Sequence, residues 1–160
     1  MFTRTQLFVV EFCAEECTRQ QSGEMSVYNM VDAYDNAAEC LKFDEEITEA
    51  FILDLAATIE PHKNFNGYRC VPVTIRGILV PWEHITRQME MLISAQTNLT
   101  PEEFYKEFEE IHPFEDGNGR VGVILYNYLK KTLDNPSFAP EFWSDAYYNI
   151  LTAGDNSDRF

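Results

Sequence analysis

Residues 112–120 read His-Pro-Phe-Glu-Asp-Gly-Asn-Gly-Arg. Glycines at 117 and 119 allow a backbone to take positive φ and to approach a ligand closely. Successive N–H groups in such a turn make a concave nest for an anion. A helix starting near Gly119 or Arg120 adds free N–H groups and the positive end of its dipole. Arg120 supplies a planar, permanently charged donor that matches phosphate oxygens. Asp116 would repel a bare phosphate, but it suits a magnesium ion, which favours one or two carboxylates plus substrate oxygens. His112, four residues earlier, is a side chain that takes a proton from a hydroxyl near neutral pH. Phe114, between them, is expected to point inward and anchor the loop.

Each part has a plainer reading. A histidine at a helix C-terminus is stabilised by the dipole. Asp-Gly and Asn-Gly are ordinary turn chemistry, and an arginine is ordinary surface. No Gly-Lys-Ser/Thr closes the run, so it is not a P-loop. The signal lies in the combination, set between two periodic segments.

Those segments are helical. Thr100-Pro101-Glu102-Glu103 combines a capping threonine, a proline at the first helical position and a glutamate at the third. Phe104, Phe108 and Ile111 then form an inward stripe that ends at His112. After the glycine turn, residues 120–133 resume helical pattern. Earlier helices are expected over 5–19, with Phe8, Val9, Phe12 and Cys13 inward, over 27–41, and over 43–59. Another starts at Trp82, with Ile85, Met89, Leu92 and Ile93 on one face. Residues 20–24 read as a polar break, 61–67 as a loop and 141–151 as a last helix before a polar tail. The strand signal lies in residues 68–81, rich in β-branched side chains with a turn at Arg76-Gly77. Pro72 makes the first strand of this hairpin an edge. The fold class is mainly α with one β-hairpin. It forms a single domain of N-terminal helices (1–43), a core with hairpin and glycine turn (44–131), and a C-terminal helix and tail (132–160).

The chain of 160 residues carries a formal net charge of −15. That charge disfavours nucleic acid and anionic membranes as partners, and it makes a bound polyphosphate depend on a local positive device or a metal. No stretch is long and apolar enough to span a bilayer, and no signal-peptide pattern opens the chain, so a cytoplasmic protein is expected. Cys13, Cys17, Cys40 and Cys70 lack zinc-ligand spacing and read as buried free thiols.

The run from His112 to Arg120 resembles the signature of Fic-domain proteins, His-x-Phe-x-Asp/Glu-Gly-Asn-Gly-Arg-x-x-Arg. Residues 51–60, 67–69 and 73–75 look like the helix and flap hairpin that precede that signature, and 82–95 and 101–111 like the helices between flap and signature. The resemblance covers about residues 44–131. It implies a Fic-type helical bundle with a hairpin flap. It also implies transfer of a nucleoside monophosphate, usually AMP from ATP, to a Ser, Thr or Tyr hydroxyl of a target protein. Carried over by position, His112 is the catalytic base and Asp116 holds Mg2+. Gly117, Asn118, Gly119 and Arg120 bind the nucleotide phosphates, and the edge Val73, Thr74, Ile75 aligns the target by strand addition.

One position departs. The signature's last Arg falls at residue 123, which is Val123. Either a phosphate clamp is missing, or position 123 is simply core. The departure sustains an alternative, a catalytically silent Fic fold that regulates a partner. No Ser/Thr-x-x-x-Glu-Gly/Asn inhibitory motif occurs: Thr86 to Glu90 has the spacing, but Met91 follows. Glu15 and Glu16 with Arg19 offer either an unorthodox regulatory helix or a solvated face, and a regulatory partner or self-association stays open.

Overall fold

The computed structural model describes residues 1–20, 25–75 and 77–140, without the side chains of 19 and 20. Six α-helices and one two-stranded hairpin lie among them. In chain order these are α1 (Arg4–Gln20), α2 (Val27–Leu41), α3 (Glu49–Ile59), β1 (Val73–Ile75), β2 (Ile78–Val80), α4 (Ile85–Ser94), α5 (Pro101–Ile111) and α6 (Asn118–Lys130). A single 3₁₀ turn, Gln96–Asn98, joins α4 to α5. The mainly α architecture with a hairpin is as expected. The expected helix at 141–151 and most of the polar break at 20–24 fall outside the described residues.

Local chemistry sets most of the boundaries. Ser26 opens α2 by accepting the Asn29 N–H at 3.1 Å. Thr100 opens α5 with a full capping box, its hydroxyl accepting from Glu103 N while the Glu103 carboxylate accepts from Thr100 N. Two starts differ from expectation. The helix anticipated from residue 43 begins only at Glu49, where Thr48 caps it by accepting from Phe51 N. Ile47 had extended the apolar pattern, but it enters the core from the preceding loop, its backbone held at both ends by the Gln96 side chain. Likewise Trp82 lies in a turn, and α4 starts at Ile85.

The hairpin is antiparallel and pairs Val73 with Val80, Thr74 with Leu79 and Ile75 with Ile78. Pro72 stands just before β1, so its missing donor leaves no gap in the ladder.

Helix α6 is the central element and packs on α2, α3 and α5. Every residue from Arg120 to Tyr128 is buried, so α6 is covered on all sides rather than along one stripe. Phe104, Phe108 and Ile111 of α5 pack into the same core as Val121 and Leu125, and full burial of each such side chain stabilises by about 1.5–3 kcal/mol. Gly122 lets α5 come close: a Cβ there would sit 2.5 Å from Glu109 Oε1 and 3.0 Å from Tyr105 Cε2. The stripe Phe8, Val9, Phe12 and Cys13 of α1 is buried as anticipated. The thiols differ from expectation: only Cys13 is buried, Cys17 and Cys40 are half-buried, and Cys70 is exposed.

Candidate active site

Helix α5 stops at His112, which takes the left-handed conformation with φ 51° and ψ 62°. Pro113 cannot continue the helix. A non-glycine residue held there carries strain on the order of 1–3 kcal/mol, so neighbouring groups must fix it. The His112 N–H donates to Phe108 O at 3.0 Å. Its carbonyl accepts from Arg69 Nε at 2.7 Å. One residue on, the Pro113 carbonyl accepts from the Arg69 N–H at 2.9 Å.

Arg69 is buried and spends its guanidinium on carbonyls: His112 and Ile111 at the end of α5, and Val71, Val80 and Pro81 around the hairpin. It ties the flap to the histidine. Sequence reading placed Arg69 in the expected hairpin segment, residues 68–81, but gave it no role. A lone arginine with no carboxylate nearby in the chain carries no local signal of such a role.

Past His112, the side chain of Asn118 closes the loop. Its Oδ1 accepts from Phe114 N at 2.9 Å and its Nδ2 donates to Phe114 O at 2.8 Å. Phe114 is buried as expected, with its ring against Tyr68 and Phe108. Asn118 was expected to cradle phosphates; its side chain is committed to the loop instead.

Gly117 caps α6 at φ 81°. A Cβ there would meet Ile59 Cγ2 at 3.1 Å, so both backbone and space require glycine. Gly119 corrects the expectation of positive φ, because it already lies inside α6. Its lack of a side chain matters for a different reason: a Cβ there would come 3.4 Å from Glu16 Oε2 of α1. Glu16 is buried against the cradle, so the solvated-face reading of α1 does not hold at this residue.

The charges form a chain. Lys63 Nζ sits 2.7 Å from Asp116 Oδ2. Asp116 Oδ1 accepts the Gly117 N–H at 2.8 Å and lies 3.5 Å from Arg120 Nη2. The same Nη2 donates to Glu60 Oε1 at 2.9 Å. Arg120, expected as an open phosphate donor, is only 2% exposed and already paired, although its Nη1 is buried without a hydrogen-bond partner. Asn64, also buried, bonds the carbonyls of Ala56 and Asp116 and fixes the 61–67 loop beneath the turn. Glu60, Lys63 and Asn64 were missed because they lie more than 50 residues from the groups they meet.

Burial pushes the Asp116 carboxyl up, but Lys63, the Gly117 N–H and Arg120 outweigh it and hold it below its usual value. His112 is depressed from 6.5 to about 4, first by burial and then by the charge of Arg69; the Glu109 backbone and Asp116 act the other way. The folded chain therefore keeps His112 neutral where an unfolded chain would bind a proton. Its stabilising contribution is full above pH 6.5 and disappears as pH falls to about 4, a loss on the order of 3 kcal/mol. His112→Gln cannot titrate and should flatten this part of the stability profile. Urea denaturation of both proteins across that range checks it; parallel profiles would mean that His112 titrates at its ordinary value.

The Fic/DOC family model matches residues 46–129. The chain belongs to the Fic/DOC family. No curated protein matches it. The matched Fic/DOC region runs from just before α3 to the end of α6, and so includes the hairpin, Arg69, Lys63 and the whole 112–120 run. Val123, where the Fic signature carries arginine, is fully buried among core residues of α6, so position 123 is core and also brings no cation to the turn. Members of the family are often transferases. Among the described residues no helix is long and apolar enough to cross a membrane.

Proposed function

We propose that this Fic/DOC chain is a nucleotidyltransferase. It would move a nucleoside monophosphate from a magnesium-bound nucleotide, ATP foremost, to a Ser, Thr or Tyr hydroxyl of a target protein. The observation that carries this reading is the 112–120 loop: a neutral histidine at one end, and a glycine-capped helix start with Asp116 and Arg120 at the other.

In this reading His112 takes the proton of the attacking hydroxyl. Its Nδ1 is buried, which leaves Nε2 as the exchanging atom. The hydroxyl oxygen forms a bond to the α-phosphorus, the bond to the bridging oxygen breaks, and pyrophosphate leaves with the electron pair. A base near 4 is a weak proton acceptor; an arriving polyanion raises its proton affinity, so the group strengthens when substrate is in place. The N–H groups of Gly119 and Arg120 lie in the first turn of α6, where no intrahelical acceptor exists, and they suit phosphate oxygens.

Asp116 fits a magnesium ion. It is a half-buried carboxylate whose outer oxygen already receives a cation, Lys63. Among the described residues no three His, Cys, Asp or Glu gather as a metal cage; magnesium needs only one or two carboxylates beside water and substrate phosphate. When bound, the ion would neutralise charge on the phosphates. The outer edge of β1, with Thr74 exposed between Val73 and Ile75, suits strand addition by the target segment. A cytoplasmic setting, without membrane or nucleic acid, belongs to the same proposal.

The burial of Arg120 on Glu60 favours a second reading, a silent fold that regulates a partner or assembles with itself. Intact-mass measurement separates the two. Candidate targets incubated with the chain, magnesium and each nucleotide gain one nucleoside monophosphate under the first reading and nothing under the second.

Asp116→Ala should lose the magnesium dependence of nucleotide binding, because the carboxylate that would receive the ion is gone. Calorimetry with and without magnesium measures this. Equal nucleotide affinity of the wild type in both conditions would reduce Asp116 to a turn residue.

A further inference from the structure

Position 123 offers no cation, since its valine is packed in the core. Around the cradle, Arg120 and Lys63 face Glu60 and Asp116, and Glu16 lies against Gly119. Glu60 and Asp116 already engage both cations before any nucleotide arrives. Of the two cations, Arg120 is locked beneath the turn, whereas the Lys63 side chain is 52% exposed.

We infer that Lys63 is a phosphate-binding residue, which leaves Asp116 for the terminal phosphates of a bound nucleoside triphosphate and so supplies the charge that residue 123 lacks. The inference rests on the nucleotidyltransferase reading. Its geometric basis is the way the lysine is mounted. The next residue, Asn64, donates from its side chain to the carbonyl of Asp116 at 2.8 Å and from its N–H to the Glu60 carbonyl at 2.9 Å. The backbone that carries Lys63 is thus bolted to the same turn its ammonium faces, while the four-carbon stem remains free to swing.

The ammonium now occupies the outer oxygen of Asp116 at 2.7 Å. Asp116 is also the carboxylate that would hold the nucleotide's magnesium. Exchange of one cation for the other releases Lys63 beside newly arrived phosphate oxygens, with its charge intact. The lysine end of the pair is half exposed, where solvent screening weakens its hold. The plainer possibility is that Lys63 merely plugs Asp116 and competes with the metal.

Calorimetric titration of the full chain with ATP, ADP and AMP in magnesium distinguishes these. Lys63→Ala should weaken ATP by about tenfold or more, as expected for a lost charge-assisted phosphate contact, and leave AMP unchanged. Lys63→Arg should keep most of the ATP affinity. The side chain is half exposed, so both variants should fold, and melting temperature verifies it. If Lys63→Ala binds ATP as the wild type does, or more tightly, the lysine is a plug and the inference fails while the nucleotide reading stands. A wild type that binds none of the three nucleotides overturns both.

Discussion

Val123→Arg should leave the protein unfolded or close to it. The valine is 0% exposed, on a helix covered by α2, α3 and α5. An arginine there adds volume to a filled core and buries a guanidinium. Overpacking alone costs about 1–3 kcal/mol, and a buried charge left without its partner about 3–5 kcal/mol. The sum reaches the lower part of the usual range of domain stability, roughly 5–15 kcal/mol. Arg120 survives burial on the same helix only because Glu60 and Asp116 meet it. Thermal denaturation and nucleotide titration of the one variant read the result. A Val123→Arg protein that melts like the wild type and newly discriminates ATP from ADP would show that residue 123 reaches the phosphates.

His112→Ala should lower transfer by about 10²–10⁴-fold, the usual consequence of removing a general base, with nucleotide affinity nearly unchanged. The cradle does not depend on the imidazole. The contacts that fix the loop, from Arg69 to the His112 carbonyl and from Asn118 to Phe114, involve backbone atoms at 112 and 114. They survive the substitution. The left-handed backbone at 112 does not suit alanine well, so His112→Asn is the better control for local geometry: asparagine tolerates that conformation. Rates of target modification measured alongside ATP affinity decide the matter. Full transfer by either purified variant would remove His112 from the chemistry.

The contrast between these two positions shows what a sequence carries. The 112–120 run was legible because its chemistry is local: helix end, turn and helix start adjoin one another. The cap at Thr100 was legible for the same reason. The helix start at Glu49 was misjudged because Ile47 is apolar, and periodicity does not distinguish a core residue on a loop from one on a helix. Gly119 looked like a turn glycine, yet the feature it answers to is Glu16, on another helix. Glu60 on Arg120, Lys63 on Asp116 and Arg69 on the His112 carbonyl are pairings across long chain separations, made by the packing of α3 and the hairpin around α6. Partners far apart in a chain give no local sign that they meet.

The anchorage of the hairpin on Arg69 has a dynamic consequence. Two strands of three residues have little stability of their own in water. Much of what resists their local opening is one guanidinium shared between hairpin carbonyls and the end of α5. The same guanidinium also holds the His112 carbonyl in its left-handed turn. Hairpin and histidine thus share one anchor, and removing the Arg69 side chain would loosen both together.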